Sequence, residues 1–195
     1  MEVHHRVSPS IERRRRRVHT EVKRAMCQSL SLTSPRRVLD VGTGFGMSVQ
    51  LLTKQFRNRA RIWSVDPSRS VIREMRELSR HSGMSRQVSF KRARAEALPF
   101  PARRFDLVVS LLALHHLSNP VKGLPEMARV LAPKGKLIVA DWRPLASPVV
   151  PHSARDIPPP TIALRVLKHL GFLTTIRRGR YWWKAQSEVE AIKAC

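Results

Sequence analysis

Short apolar runs alternate with amphipathic segments through most of the chain. The apolar runs are bounded by turn-forming residues and lie near residues 38–41, 62–65, 88–90, 105–111 and 137–140. Apolar residues recur at helical spacing in the segments between them, near residues 46–56, 71–78 and 121–131. The run at 105–111 is almost continuously apolar, which is typical of a strand buried on both faces. The alternation predicts an α/β fold, with a doubly wound, mainly parallel sheet and helices on both of its faces.

The first 35 residues have a different pattern, which predicts a basic helix near residues 11–30. One apolar face, spaced by seven and then four residues, consists of Ile11, Val18, Val22, Met26 and Leu30. Five consecutive arginines at 13–17 would lie on the solvated side, and the following Ser-Pro pair at 34–35 ends the helix. We therefore predict that residues 1–35 form a basic helix packed on a domain of residues 36–195.

The C-terminal part of the chain departs from the alternation. Residues 143–160 contain six prolines and few periodic apolar positions, which predicts a loop or lid. A helix near residues 161–170 should end at Gly171. Two strands near 172–178 and 181–187, joined by a tight turn at Gly179, follow it. These strands predict an antiparallel strand at the C-terminal side of the sheet.

The turn after the first predicted strand carries the strongest chemical signal. It has the pattern Asp-x-Gly-x-Gly-x-Gly, from Asp40 to Gly46. Glycines allow the backbone to approach a ligand closely, and the N–H groups at the start of the next helix favour an anionic group. The dinucleotide pattern G-x-G-x-x-G fails in both registers, because Met47 or Val49 stands where its last small residue belongs. A plain tight turn is the structural alternative.

This glycine segment resembles motif I of the class I S-adenosylmethionine-dependent methyltransferases. Three further segments resemble the same family in the same order, at Asp66-Pro67, at 95–110 and at 128–137. The resemblance implies a Rossmann-like fold and S-adenosylmethionine as the cofactor. It also implies a cofactor site that consists of Asp40, Gly42, Thr43, Gly44, Gly46, Asp66, Pro67, Ala95, Glu96 and Ser110.

The family also suggests a role for several of these positions. The glycine loop and Asp40 would hold the amino-acid end of the cofactor, and Asp66 would accept hydrogen bonds from both ribose hydroxyls. The segment at Ala95-Glu96 would pass the adenine, and Ser110 would lie beside the reacting methyl group. For Asp66 the structural alternative is a turn that caps the next helix.

Three nearby residues refine the resemblance. The family commonly has an acidic or amide side chain before the Ala95 position, in contact with the adenine amino group. Arg94 stands there and is only a donor, so we expect it not to contact that group. His115 and His116 follow the fourth strand and are the candidate catalytic residues, as a base for an acceptor that must lose a proton. Their surroundings resemble the small-molecule group that includes quinone-biosynthesis methyltransferases. Packing against the following loop is the alternative role of each histidine.

The charge balance points to a further kind of partner. The 195 residues include 37 Lys and Arg against 14 Asp and Glu, a formal net charge of +23. A heat-adapted surface would need acids in similar number, so attraction to RNA or another polyanion is the physical alternative. We expect the basic N-terminal helix and the basic turn at 177–180 to contribute to one positive surface near the acceptor site.

Cysteine usage and hydropathy bear on the compartment. Cys27 and Cys195 are the two cysteines, which argues against a disulfide framework, and the sequence contains no zinc-ligand spacing or other metal cluster. No apolar run reaches the ~18 residues of a membrane span, and the N-terminus does not resemble a signal peptide. These features predict a cytoplasmic protein without a bound metal.

Three functions stay open on the sequence. The first is a methyltransferase that acts on a small molecule, with an acidic or aromatic acceptor as one form of it. The second is a methyltransferase that acts on RNA or another macromolecule through the basic surface. The third is a non-catalytic methyltransferase-like domain, supported mainly by Arg94. The sequence assigns neither the methyl acceptor nor an oligomeric state.

Overall fold

The computed structural model describes residues 9–31, 33–143, 159–178 and 182–189. The helices are α1 Pro9–Ser31, α2 Met47–Phe56, α3 Arg69–His81, α4 Pro120–Arg129 and α5 Pro160–His169. The strands are β1 Arg37–Val41, β2 Arg61–Asp66, β3 Val88–Arg92, β4 Phe105–Leu111, β5 Leu131–Trp142, β6 Phe172–Arg178 and β7 Trp182–Val189. The proline-rich segment lies outside the described residues from 144 to 158, as does the turn at 179–181.

The strands form one seven-stranded sheet in the order β3-β2-β1-β4-β5-β7-β6. The neighbours among β1 to β5 pair in parallel, and β7 pairs antiparallel with both β5 and β6. This topology confirms the prediction of a Rossmann-like α/β fold with a C-terminal antiparallel strand. The strand order reverses between β1 and β4, and ligands of such sheets bind at the carboxyl ends beside that reversal.

The sheet separates two apolar layers, because successive residues of each strand point to opposite faces. One layer joins Val38, Val109 and Ile138 of the sheet to buried residues of α1, α2 and α3. The other joins Leu39 and Val108 to buried residues of α4 and α5. The central strands β1 and β4 are buried on both faces, and this explains why their sequences are nearly continuous apolar runs, whereas the edge strands β3 and β6 alternate buried and exposed positions.

The N-terminal helix packs on the sheet through one face. Val22, Ala25, Met26 and Leu30 of α1 are buried, and the helix contacts α2 and β7. Lys184 of β7 extends its ammonium group to the helix, where it donates to the carbonyl of Ala25 and to the Ser29 hydroxyl. None of the described helices is both long enough and apolar enough to cross a membrane. The division into residues 1–35 and 36–195 stays a prediction.

The start of β5 differs from the sequence prediction. We expected α4 to continue to the Pro-Lys-Gly turn at 133–135, but the helix ends at Arg129 and β5 begins at Leu131. The backbone N–H groups of Arg104 and Phe105 donate to the carbonyl of Val130, each at 2.9 Å, which draws this segment into the sheet. The turn residues form an irregularity within β5, with Lys134 at φ 61°, and the pairing with β4 shifts register beside it.

Candidate active site

The glycine turn follows β1 at the reversal of strand order. A Cβ added to Gly42 would lie 2.3 Å from the Cβ of Ala113, and one added to Gly46 would lie 2.5 Å from the Met75 Cε. Their φ angles, 94° and 78°, also lie in the left-handed region that favours glycine. A Cβ on Gly44 would meet nothing within 4 Å. Gly42 and Gly46 therefore allow close packing, whereas Gly44 borders open space.

Asp66 ends β2 and fixes the glycine turn from the side. One carboxylate oxygen accepts a hydrogen bond from the Gly44 N–H at 3.1 Å, and the other accepts from the Ser68 N–H at 2.9 Å. The Ser68 hydroxyl in turn caps α3 by accepting from the Val71 N–H. Asp66 also lines the large cavity described below. The turn before α3, the alternative role of Asp66, is therefore observed. The Asp66 carboxylate also lies in the cavity wall, where a ligand can reach it.

Asp40 lies behind the turn and is 0% exposed. One of its oxygens accepts a hydrogen bond from the Ser64 hydroxyl at 2.6 Å, while Oδ1 is buried without a partner among the described residues. Burial raises the pKa of Asp40 to about 7, against the opposing hydrogen bond of Ser64, and the charge of Asp66 adds to the rise. An unpaired buried carboxylate oxygen is costly, so a cationic group that reached it would be stabilised.

A cavity of about 820 Å³ opens at the carboxyl ends of β1, β2, β4 and β5. Its size falls within the range of pockets for cofactor-sized ligands. Seven of the ten predicted cofactor residues line it, namely Gly42, Thr43, Gly44, Asp66, Pro67, Ala95 and Glu96. Both candidate histidines line it too. Asp40 and Ser110 are buried behind this wall, and Gly46 packs against Met75.

The segment at Arg94 forms a turn on one side of the cavity. The Arg94 guanidinium donates to the Ser118 hydroxyl, and its Nε lies 3.8 Å from a Glu96 oxygen. The other Glu96 oxygen accepts a hydrogen bond from the Asn119 N–H at 2.9 Å. The positive charge of Arg94 is therefore partly offset by Glu96. These contacts supply no acceptor for an adenine amino group from the Arg94 side chain.

His115 is joined to a carboxylate that the sequence reasoning missed. Asp141 of β5 is 0% exposed, and its two oxygens accept hydrogen bonds from the His115 ring Nδ1 at 2.7 Å and from the His115 backbone N–H at 2.9 Å. The Trp142 N–H also donates to Asp141, at 2.7 Å. The His116 ring packs on the His115 ring, with centroids 4.1 Å apart. The signal for Asp141 was its position at the carboxyl end of a strand next to β4.

The opposite wall of the cavity comes from α1, the basic helix that we expected to contribute to a positive surface near the acceptor site. His19 and Lys23 line it beside Trp142, and the His19 and Trp142 rings lie 5.7 Å apart. Phe45, between two glycines of the turn, is 99% exposed and also lines the cavity. The wall that α1 and Trp142 form therefore carries aromatic rings beside basic groups.

Fold and site together define a Rossmann-like α/β protein with a ligand cavity at the carboxyl ends of its strands. A model of the methyltransferase domain family matches residues 39–139. The chain is 32% identical over 133 residues to the ubiquinone/menaquinone biosynthesis C-methyltransferase UbiE of Yersinia enterocolitica, a match that covers 68% of this chain and 53% of that protein. This chain therefore belongs to the class I S-adenosylmethionine-dependent methyltransferases, and S-adenosylmethionine is its cofactor. It spans about half the length of the curated relatives it matches.

Solved structures show the same fold. A methyltransferase of Aquifex aeolicus that depends on S-adenosylmethionine superposes with a TM-score of 0.75 at 20% identity, over 86% of this chain and 89% of that one. The PH0226 protein of Pyrococcus horikoshii superposes with a TM-score of 0.73 at 21% identity, over 97% of this chain and 100% of that one. At these identities the similarity establishes the architecture and leaves the acceptor open.

Proposed function

We propose that this chain transfers the methyl group of S-adenosylmethionine to a small molecule held in the 820 Å³ cavity. The observation that carries the proposal is that one cavity is lined by the glycine turn and Asp66 on one side and by His115, Trp142 and α1 on the other. A cofactor and a small acceptor can meet there. The name of the UbiE relative, a C-methyltransferase of quinone biosynthesis, supports a small acceptor.

The cofactor half would lie against the turn and the ends of β1 and β2. Asp66 is suited to accept hydrogen bonds from ribose hydroxyls, because a carboxylate has two acceptor oxygens and no donor. Asp40 Oδ1, buried without a described partner, is suited to pair with the cationic amino group of the amino-acid end. Ala95 and Glu96 line the cavity and would border the adenine. Ser110, whose buried hydroxyl also lacks a described partner, would lie near the transferred group.

The acceptor half would lie between Trp142 and α1. Aromatic walls favour a planar or apolar acceptor, because such a molecule buries area against ring faces. Lys23 and His19 at the edge favour an acidic substituent on it. Leu112 also lines the cavity and has a φ of 53°. This left-handed conformation is costly for a residue other than glycine.

His115 and Asp141 form the proton-transfer pair in this proposal. An ionised Asp141 accepts from Nδ1–H, which fixes the tautomer in which Nε2 of the neutral ring carries no hydrogen. S-adenosylmethionine supplies an electrophilic methyl group in this chemistry. Nε2 would take the proton that the acceptor loses, and Asp141 would stabilise the resulting imidazolium. His116 packs against the ring and helps to hold its orientation.

Two alternative functions relate to the charge of the chain and to Arg94. Transfer to RNA or another macromolecule is favoured by the net charge of +23. A non-catalytic binding role rested mainly on Arg94, whose guanidinium is held by Ser118 and Glu96. The low cysteine content supports a cytoplasmic location, which stays a proposal.

The test uses methyl-labelled S-adenosylmethionine and a cell extract separated into small molecules, RNA and protein. We expect the label to appear in the small-molecule fraction and to be lost with Asp66→Ala. Label in RNA or protein alone would contradict the small-acceptor proposal. With the labelled product identified, His115→Gln should lower turnover by about 10²–10⁴-fold, the usual contribution of a general base, while cofactor binding is kept.

The matched control for His115→Gln is His116→Gln, because both rings line the same cavity and only His115 bonds to Asp141. We expect the control to lose far less turnover. Asp141→Asn should act like His115→Gln. Equal losses in the two histidine variants would show that His115 is not the base.

A further inference from the structure

The sheet edge opposite the active site, where the strands begin, carries a second cavity. Its volume is about 380 Å³, and four arginines line it together with Asn58, Ala60 and Gln87. We call the arginines, Arg36, Arg59, Arg61 and Arg86, the amino-edge cluster. Arg61 and Asp66 are the two ends of β2. The length of this strand therefore separates the cluster from the cofactor wall by roughly 16 Å.

Strand pairing brings these arginines together from distant parts of the sequence. The Arg61 N–H donates to the Arg36 carbonyl at 2.8 Å, which joins the starts of β1 and β2. The Arg61 guanidinium donates to the Arg86 carbonyl at 3.1 Å, which joins β2 to the segment before β3. The Arg59 guanidinium donates to the carbonyl of Gln55 at 3.1 Å. The carbonyls of Arg86 and Gln55 orient the guanidinium groups of Arg61 and Arg59 without removing their charge, so donors remain for an outside anion.

The charge of the cluster is not compensated by its surroundings. Within the described residues, no carboxylate lines this cavity and none of the four arginines forms an ion pair. Asp106 is the nearby acid at the start of β4, and it bonds to the Arg37 guanidinium and to the N–H groups of Arg36 and Arg37. Burial alone would raise the pKa of Asp106, but these Arg37 and Arg36 contacts outweigh it and hold that pKa below its ordinary value. Asp106 is therefore an ionised partner of Arg37.

Arginine is the residue that best matches phosphate, because its planar fork donates two parallel hydrogen bonds to the oxygens. The cluster spans the starts of three adjacent strands, about 10 Å at the usual strand spacing, so it is wider than one phosphate group. A backbone of repeated phosphates matches that width. Membrane surfaces instead select basic residues beside exposed apolar ones, and the described exposed large hydrophobic residues, such as Phe45 and Leu173, are not part of this cavity.

We propose that the amino-edge cluster binds the phosphodiester backbone of a nucleic acid, independently of the methyl-transfer site. Its location implies that a bound strand lies on the far edge of the sheet from His115 and Asp66. Such a strand is a docking partner rather than a methyl acceptor. The backbone contacts carry no base information, so the binding is not specific for sequence.

The test is the salt dependence of binding of a fluorescent single-stranded RNA oligonucleotide, from about 50 to 300 mM salt. The variant replaces the cluster with glutamine, which keeps a side-chain donor, at Arg36→Gln, Arg59→Gln, Arg61→Gln and Arg86→Gln. We expect affinity at low salt to fall roughly tenfold or more, and the slope of log affinity against log salt to fall by about 3, at ~0.7–0.9 per phosphate contact. The matched control changes four exposed arginines elsewhere, Arg24→Gln, Arg69→Gln, Arg73→Gln and Arg165→Gln.

Several outcomes would overturn the proposal. One is an equal loss of affinity in both quadruple variants, which would show that only net charge matters. Another is inorganic triphosphate binding as tightly as RNA of any length, which would indicate a site for a small anion. Competition between RNA and the demethylated cofactor on the wild-type chain would place the RNA at the methyl site. Titration with the cofactor shows whether each variant is folded. If the quadruple variant is not folded, the single variant Arg86→Gln replaces it in the RNA-binding measurement.

Discussion

At the scale of single residues, Asp40 is the carboxylate whose environment most alters its chemistry. Burial raises its pKa to about 7, whereas an unfolded chain gives aspartate about 3.9. The folded state therefore holds this proton more tightly than the unfolded state does. The protonated Asp40 therefore contributes to the free energy of unfolding, on the order of 4 kcal/mol for a pKa shift of this size. This contribution is fully present below about pH 4 and is lost as the pH rises through about 7.

This titration predicts how cofactor affinity depends on pH. If the buried Oδ1 of Asp40 accepts from the cationic amino group of the cofactor, binding favours the ionised carboxylate. Affinity should then rise from about pH 5.5 to about pH 7, below the pKa of ~7.7–8.0 of an α-amino group. Calorimetric titration of wild type and Asp40→Asn measures this. The asparagine variant should bind more weakly and with a flat pH profile, while Asp66→Asn should bind weakly but keep the slope. A slope that survives in Asp40→Asn would assign the pH dependence to another group.

At the scale of elements, α1 was predicted from its apolar face and was expected near the acceptor site because of its charge, but its packing partners were not predicted. Its buried face supplies Met26, which is 0% exposed, and the preceding turns supply His19 and Lys23 to the cavity wall. The periodicity of one helix indicates that it packs somewhere. It does not indicate against which elements, because that depends on residues such as Lys184, more than 150 positions away.

The packing of α1 predicts that the domain does not fold well without it. Met26→Ala should lower the free energy of unfolding by about 2–5 kcal/mol, the usual cost of truncating a buried methionine. Cys27→Ala, at the exposed neighbouring position, should change it by no more than about 0.5 kcal/mol. Urea unfolding followed by circular dichroism gives both values. Similar, small effects of the two changes would mean that α1 is not part of the cooperative core.

At the scale of the whole molecule, the strand and helix alternation predicted the fold because both faces of the sheet are buried, which leaves a plain signal in the sequence. The cofactor site near Asp66, whose residue roles stay a prediction, was predicted from the resemblance of its segments to the methyltransferase family. The pairing of His115 with Asp141 and the meeting of Arg36 with Arg86 were not, because each joins residues that only the finished sheet brings together. The early strand start at Leu131 was hidden by turn-forming residues inside β5.

The charge of the molecule as a whole predicts an unusual response to salt. With 37 basic and 14 acidic residues, repulsion among like charges opposes the compact state. Raising sodium chloride from about 20 to about 500 mM shortens the screening length from about 20 Å to a few ångströms and should raise the melting temperature by a few degrees. The cluster variant with four glutamines should start from a higher melting temperature at low salt and gain less, because the unpaired charges of Arg36, Arg59, Arg61 and Arg86 are gone. Scanning calorimetry of both proteins across the salt range makes the comparison. A melting temperature that falls with salt in the wild type would mean that favourable ion pairs, and not repulsion, dominate the electrostatics of this chain.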